Sequence, residues 1–466
     1  MATGQTCSPA EVGGKAEVPQ YSKIFKSYDI RGVVPDELDE RAAEAIGGAF
    51  ARLTGAPQLA VMHDMRTSSP LLAEAFASGA CAQGADVIAG GLGSTDMLYY
   101  ASGSLGVPGA MITASHNPPK YNGIKLCRAG AKPVGADSGL AELRAMAEQE
   151  LPPVPGRAGA VTGQGLLAGY SSYLKTLVDL SGIRPLKVAV DAGNGMAGHT
   201  VPVVFQGLPV TLVPLYFELD GSFPNHEANP IDPANLADLQ RAVLEHGADV
   251  GLAFDGDADR CFVVDERGEI VSPSVLTALI AVRELAREPG ATVIHNLITS
   301  RAVPEIITEH GGHPVRTRVG HSFIKARMAE TGAVFGGEHS GHFYFRDFWF
   351  ADSGMLAALH VLAALGGQDA PLSHVLASYS RYVASGEINS EVADQRAAAG
   401  AVRQAFAGQP GVRMDELDGL TVIGDGWWFN VRPSNTEPLL RLNVEAADEP
   451  TLAAKRDEVL RIVRGG

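Results

Sequence analysis

The same order of periodicities recurs three times along this chain, and that recurrence constrains the fold more than any other feature. Helical stretches with apolar residues three and four apart alternate with short apolar runs of strand character. The first pass, residues 36–126, reads as helix DELDERAAEAIGGAFARL, strand QLAVMHD, helix PLLAEAFASGACAQ, and strands DVIAGG and GAMITA. The second holds helix LLAGYSSYLKTLVDL, strands LKVAVDA and VTLVPLYFEL, helix NLADLQRAVLEHG, strand VGLAFD and a hairpin, CFVVDERGEIV, centred on Arg267-Gly268. The third starts after Ser272 with helix SVLTALIAVRELAR, strand TVIHNL, a helix from Ala302, strand PVRTRVG, helix SFIKARMAE and strand AVFGG. From about residue 382 the order changes to helix AAAGAVRQAF, strands around GLTVIGDGWWFNVRP and LLRLNVEA, and a closing helix EPTLAAKRDEVLRIVR.

A chain of 466 residues is too long for one core. The expected organisation is a flexible tail at 1–20, three similar α/β domains at 21–160, 161–270 and 271–381 related by internal duplication, and a smaller α+β domain at 382–466. The Pro/Gly-rich stretch LPPVPGRAGAVTGQG, 151–165, reads as the clearest linker.

Charge narrows the partners. With 37 basic against 53 acidic residues the net charge is -16, and no Lys/Arg run exists to neutralise a line of phosphates, so nucleic acid is not expected. An anionic substrate must then be held by a local positive pocket inside a repelling field. Four cysteines without a CxxC pair suggest free thiols in a reducing compartment. No window resembles a membrane span, and the opening MATGQTCSPAEVGGKAEVPQ lacks the apolar core of a signal peptide, so a soluble cytoplasmic protein is expected.

Four motifs carry chemistry. TASHNPPKYNGIK, 113–125, follows strand GAMI and is dense in turn formers, so it forms a loop that presents Ser115 beside His116, Lys120 and Lys125. An ordinary polar turn would also explain it, whereas a serine hydrolase would not, because no G-x-S-x-G elbow occurs. In FDGDADR, 254–260, Asp255, Asp257 and Asp259 alternate after strand VGLAF and would share one side if strand geometry persists. Two such charges about 4 Å apart repel by roughly 4 kcal/mol at an effective dielectric of 20, so a hard divalent cation is the natural counter-charge. An EF-hand loop would use the same aspartates with Glu266, but Arg260 stands where its Gly belongs and the flanks read as strands. Arg260 can instead hold a phosphate oxygen beside the metal.

GGEHSGH, 336–342, offers Glu338, Ser340 and His342, an acceptor and donor set suited to neighbouring sugar hydroxyls or, more plainly, to a Gly-rich turn. A zinc site fits less well, with no cysteine nearby and no helix-borne His pair. RPSNTEP, 432–438, places Arg432, Ser434, Asn435 and Thr436 in one loop of phosphate donors, or in a turn capped by Asn and Pro. A fifth motif, GNGMAG at 193–198, matches a dinucleotide fingerprint with Glu218 downstream, which keeps a dehydrogenase open as an alternative. Against that, Pro202 falls within the expected helix and no hydride-transfer constellation accompanies it, so the glycines read as a tight strand-to-helix turn.

Taken in this order, TASHNPPKYNGIK, DGDADR, GEHSGH and RPSNTEP resemble the signatures of the α-D-phosphohexomutase superfamily, in its bacterial phosphomannomutase/phosphoglucomutase branch. The likeness runs from about residue 21 to the C-terminus and includes KSYDIRG, with Tyr28 and Arg31, and VGHSFIK, with His321. It implies three similar α/β domains with mixed sheets and a smaller C-terminal α+β domain around a central cleft. It implies that Ser115 carries the phosphoryl group and that Mg²⁺ is held by a phosphoserine oxygen with Asp255, Asp257 and Asp259. The loop from Arg432 to Thr436 would grip the substrate phosphate, Glu338 and Ser340 would read the sugar's O3 and O4, and Tyr28, His116 and His342 would join the binding surface.

Arg31, Lys125 and Arg260 would add positive charge around the transferring group, and His321 or Lys125 would move the hydroxyl proton. The implied activity is interconversion of mannose 1-phosphate and mannose 6-phosphate, and of the glucose phosphates, through a hexose 1,6-bisphosphate that also serves as activator; a phosphoglucomutase or phosphoglucosamine mutase is the alternative, which the GEHSGH form with His342 resembles less. A binding protein that kept the fold without turnover is the non-enzymatic alternative. One departure stands out: related mutases often carry a basic residue where this chain has Ile298, and Arg301 is a substitute by proximity alone.

Overall fold

The computed structural model describes residues 20–26, 28–135, 138–149, 151–434 and 439–465, so most of the tail expected at 1–20 lies outside the described residues. The chain divides into two compact units, one of residues 1–272 with 340–373 and one of 273–339 with 374–466. The expected three α/β domains with mixed sheets, followed by a C-terminal domain built on an antiparallel sheet, are what the chain folds into.

In the first unit, one sheet runs in the order Ile30–Val33, Tyr121–Arg128, Gly109–Ile112, Gln58–His63, Asp86–Leu92, Val161–Gly163, with Lys132–Pro133 paired to Tyr121–Arg128. The strands from Gly109–Ile112 to Val161–Gly163 are mutually parallel, and Tyr121–Arg128 returns antiparallel. The stretch read as a linker thus contributes its last residues to this sheet as an edge strand. Helix Glu40–Thr54 begins where Asp39 accepts from the Ala42 amide at 2.8 Å and stops at Gly55, whose φ of 60° ends the turn pattern. Its inward face joins Ile46 and Phe50 to Phe76 of helix Ser69–Ala82 in one apolar core.

The second sheet of this unit has the order Ile270–Val271, Cys261–Val264, Val250–Phe254, Leu186–Asp191, Val210–Leu215. Its middle strand, Val250–Phe254, is buried at all five positions, the pattern of a parallel strand covered on both faces. The hairpin centred on Arg267-Gly268 forms as expected between Cys261–Val264 and Ile270–Val271. Helix Ala197–Val204 forms with Pro202 inside it, because in so short a helix the missing N–H removes a single bond two residues before the end. Helix Gly354–Gly366 is buried at every position and starts at Ser353, whose hydroxyl accepts from the Leu356 amide at 3.1 Å.

In the second unit, strands His313–Thr317, Thr292–Asn296 and Phe335–Gly337 run parallel. The C-terminal sheet is antiparallel throughout, in the order Val383–Glu391, Leu439–Ala446, Trp427–Pro433, Leu420–Gly424, Arg413–Asp415. Helices Gln395–Phe406 and Glu449–Val463 close its core through Val402, Phe406, Val459 and Val463. Among the described residues, no helix is long and apolar enough to cross a membrane.

Candidate active site

The fully buried strand Gly109–Ile112 delivers the chain into the loop that holds Ser115. Ser115 is buried, with φ of 50°, the left-handed region that a residue with a Cβ seldom enters. Its amide donates to Thr113 Oγ1 at 2.9 Å. Its hydroxyl donates to Asp255 Oδ2 at 2.7 Å and lies 3.2 Å from His116 Nδ1 and 3.4 Å from an Arg260 Nη2 donor.

Asp255, Asp257 and Asp259 are all buried and offer one oxygen each within 4.8 Å of one another. They converge because the backbone turns. Ala258 has φ of 58° and its amide donates to Asp255 O at 3.0 Å, so a tight turn gathers carboxylates that strand alternation was expected to align. Gly256 lets the two loops touch, since a Cβ there would lie 2.4 Å from Ser115 O.

Two cations serve the three carboxylates. Lys125, on strand Tyr121–Arg128, donates to Asp257 Oδ2 and Asp259 Oδ2, both at 2.6 Å. Arg260 holds Asp255 through Nε at 2.9 Å and Nη2 at 2.7 Å. Thr95, at the start of helix Thr95–Leu105, adds its hydroxyl to Asp257 Oδ2 at 2.5 Å and its amide to Asp257 O at 3.0 Å. Asp257 Oδ1 and Asp259 Oδ1 remain buried without a hydrogen-bond partner. A surplus of one carboxylate, orphaned oxygens and an all-oxygen donor set fit a hard divalent cation.

The electrostatics follow from this packing. Burial raises the Asp255 carboxyl, outweighing Arg260, with the Asp259 and Asp257 charges adding to the rise. Burial also opposes ionisation of Asp257, but Lys125 and Thr95 hold it below the usual carboxylate range. For Lys125 burial alone would lower the ammonium, and Asp257 and Asp259 more than reverse it. His116 is driven well below the ordinary imidazole value by burial and then by Arg260, so it is neutral. Its Nδ1 takes the Arg260 Nη2 donor at 2.5 Å, which assigns the ring proton to Nε2.

His342, expected at the sugar, sits with Nδ1 3.0 Å from Asp352 Oδ2 and 3.8 Å from Asp259 Oδ1, and its residue forms an isolated bridge with Arg260. Arg31 reaches the same loop from strand Ile30–Val33, donating to Asn117 Oδ1 and pairing with Asp29. Tyr28 and Ser340 are half-buried in this unit.

The remaining candidates belong to the second unit. Glu338 is buried, accepting from the Gly320 amide at 3.2 Å and Asn296 Nδ2 at 3.3 Å. Arg432 pairs with Glu387 at 2.6 Å, and Arg441 approaches that carboxylate at 3.4 Å. Ser434 is buried, its amide bonded to Leu439 O at 2.8 Å. Asn435 and Thr436 lie outside the described residues, as does the side chain of His321, whose backbone opens helix His321–Thr331. Ile298 packs with Leu297 and Trp428 in a small apolar cluster. The Arg301 guanidinium lies over the Tyr382 ring and 3.9 Å from Glu305.

Two residues that sequence reasoning passed over join the site: Thr95, bonded to Asp257 as described, and Arg66. Arg66, only 1% exposed, reaches under the Ser115 loop and bonds its main-chain carbonyls.

Four family models cover nearly the whole chain. Phosphoglucomutase/phosphomannomutase alpha/beta/alpha domains I, II and III match residues 22–151, 168–268 and 273–382, and the C-terminal domain matches 387–462. A phosphomannomutase of Escherichia coli is 40% identical over 451 residues, 94% of this chain and 99% of that protein. A protein of Xanthomonas campestris pv. campestris described as phosphohexose mutases is 40% identical over 444 residues, covering 95% and 99%. The crystal structure of a phosphoglucomutase/phosphomannomutase family protein from Burkholderia thailandensis superposes with a TM-score of 0.87 at 32% identity, over 96% of this chain and 99% of that one. Fold and relatives together define a phosphohexomutase, an isomerase of the intramolecular phosphotransferase class. The chain belongs to the phosphoglucomutase/phosphomannomutase family, in its bacterial branch.

Proposed function

We propose that this chain is a phosphomannomutase that interconverts mannose 1-phosphate and mannose 6-phosphate, and the glucose phosphates with them, using Ser115 as phosphoryl carrier. The observation that carries the reading is the Ser115 hydroxyl 2.7 Å from Asp255, within a triad of carboxylates backed by Lys125 and Arg260. Phosphoryl transfer asks mainly for positioning and charge neutralisation, which such a cluster supplies.

Asp255, Asp257 and Asp259 would hold Mg²⁺ together with an oxygen of phosphorylated Ser115, and when bound the ion neutralises charge on the transferring group. Arg260 and Arg31 bind phosphate oxygens, and of the two proton carriers expected, Lys125 is held as an ammonium by Asp257 and Asp259, so His321 accepts and returns the sugar hydroxyl proton. The neutral His116 lends Nε2–H to substrate, and Tyr28 and His342 belong to the same binding set. Glu338 and Ser340 would read the sugar hydroxyls, and Arg432, Ser434, Asn435 and Thr436 would grip the phosphate that is not transferred. A hexose 1,6-bisphosphate is the intermediate, and in trace amounts the activator that keeps Ser115 phosphorylated. The buried thiols of Cys81, Cys127 and Cys261 accord with a cytoplasmic setting.

The test is conversion of mannose 1-phosphate and of glucose 1-phosphate to their 6-phosphates with Mg²⁺ and trace bisphosphate, comparing wild type with Ser115→Ala. Turnover that collapses in the variant upholds the reading, and the ratio of the two rates sets the preferred sugar. Full turnover by Ser115→Ala would overturn it.

A further inference from the structure

The geometry points to Arg66 as a positioning residue for the loop that carries Ser115, an inference that rests on the phosphoserine reading above. Arg66 follows strand Gln58–His63 and is 1% exposed. Its guanidinium sends Nη1 to Pro118 O at 3.0 Å and Tyr121 O at 2.9 Å, and Nη2 to Ser115 O at 2.8 Å and Asn117 O at 2.6 Å. One side chain therefore satisfies four carbonyls of a turning segment.

The guanidinium is itself fixed. Its Nε lies 3.3 Å from Asp64 Oδ2, and Asp64 Oδ1 accepts from the Arg66 amide at 3.0 Å and from Ser69 Oγ at 2.6 Å. The Phe223 ring covers the guanidinium carbon at 5.1 Å. No other side chain type fills this role: only arginine offers a rigid planar fork with enough donors, and lysine has three donors on one point charge.

The consequence for chemistry lies in Ser115. Its backbone sits in the unfavourable left-handed region, and the Arg66 bond to its carbonyl opposes relaxation out of it. Holding that carbonyl fixes the Cα–Cβ direction, and so the aim of the hydroxyl at Asp255. Arg66 acts on the reaction through the loop without touching the reacting atoms.

Arg66→Ala and Arg66→Lys are compared with Phe76→Leu, a core substitution in the same domain that serves as a stability control. For each, melting temperature, kcat, KM for mannose 1-phosphate, and the rate of Ser115 phosphorylation by glucose 1,6-bisphosphate, read by intact-protein mass spectrometry, are measured with and without millimolar guanidinium. Loss of loop geometry lowers kcat and the phosphorylation rate of Arg66→Ala by about 100-fold while KM moves by less than about threefold, and guanidinium restores about tenfold. Arg66→Lys stays impaired, and it carries the test should Arg66→Ala fail to fold.

Variants that fold and phosphorylate Ser115 as fast as Phe76→Leu would overturn the inference, as would failure of both to fold, which would assign Arg66 to the fold alone. Turnover that persists in Ser115→Ala would defeat the phosphoserine reading instead, whatever the Arg66 variants do.

Discussion

Ser115 Oγ donates to Asp255 Oδ2 at 2.7 Å, and Asp255 is the carboxylate that Arg260 holds through two of its nitrogens. The hydroxyl proton is therefore aimed at a carboxylate and not at the adjacent imidazole, whose Nδ1 already takes Arg260. Asp255→Asn should slow phosphorylation of Ser115 by the bisphosphate at least about 100-fold, and His116→Gln by no more than about tenfold. Single-turnover mass spectrometry reads both, and equal losses would contradict the assignment.

Thr95 donates its hydroxyl to Asp257 Oδ2 at 2.5 Å and its backbone N–H to the Asp257 carbonyl at 3.0 Å, leaving Oδ1 free to face a cation. Outer groups that orient a metal ligand typically change affinity by about 10- to 100-fold when lost. Thr95→Val is expected to weaken Mg²⁺ binding by at least about tenfold, and Thr95→Ser to restore most of it. Titration calorimetry on the resting protein decides, and unchanged affinity in Thr95→Val would count against the role.

Lys125 is the shared cation of Asp257 and Asp259. Without it two buried carboxylates lose their partner, so Lys125→Met should destabilise the metal-free protein by about 3 kcal/mol. Mg²⁺ supplies the missing charge, so the melting temperature of the variant should climb more on adding Mg²⁺ than that of wild type. Parallel shifts in the two proteins would show that the lysine and the cation do not share these ligands.

The pH dependence has a marker in the second unit. His295 is buried on strand Thr292–Asn296, and burial lowers its imidazole to about 4. Unfolded, it titrates near 6.5, so between these values the unfolded chain binds the extra proton and acid favours unfolding. The linked stability is intact above about pH 6.5 and is lost as pH falls toward 4, by up to about 3 kcal/mol. His295→Gln should show a smaller drop in melting temperature between pH 7 and pH 5 than wild type. An equal drop in both would remove His295 from the account.

The repeated alternation was legible in the sequence because apolar periodicity is local, and so were the loops at strand ends, because their turn formers sit within a few positions of one another. The Ser115 loop and the three aspartates were identified for that reason. How the aspartates converge was not, since an alanine gives no sequence signal of the left-handed conformation that Ala258 adopts. Arg66 and Thr95 escaped because their partners lie far along the chain: Arg66 bonds carbonyls at 115–121, and Thr95 meets Asp257. Backbone carbonyls carry no sequence signal, so an arginine recruited to them reads like any other. Ile298 was marked as a missing cation, yet it packs in an apolar cluster with Trp428, a contact that spacing does not reveal.

Gly256 and the Ser115 carbonyl bring loops of two domains so close that a Cβ on the glycine would lie 2.4 Å from that oxygen. Such a fit makes the first two domains a single heritable part. A recombinant that takes one from a relative must bring along both loops, or a compensating change in each, and a hybrid that folds correctly can still be silent.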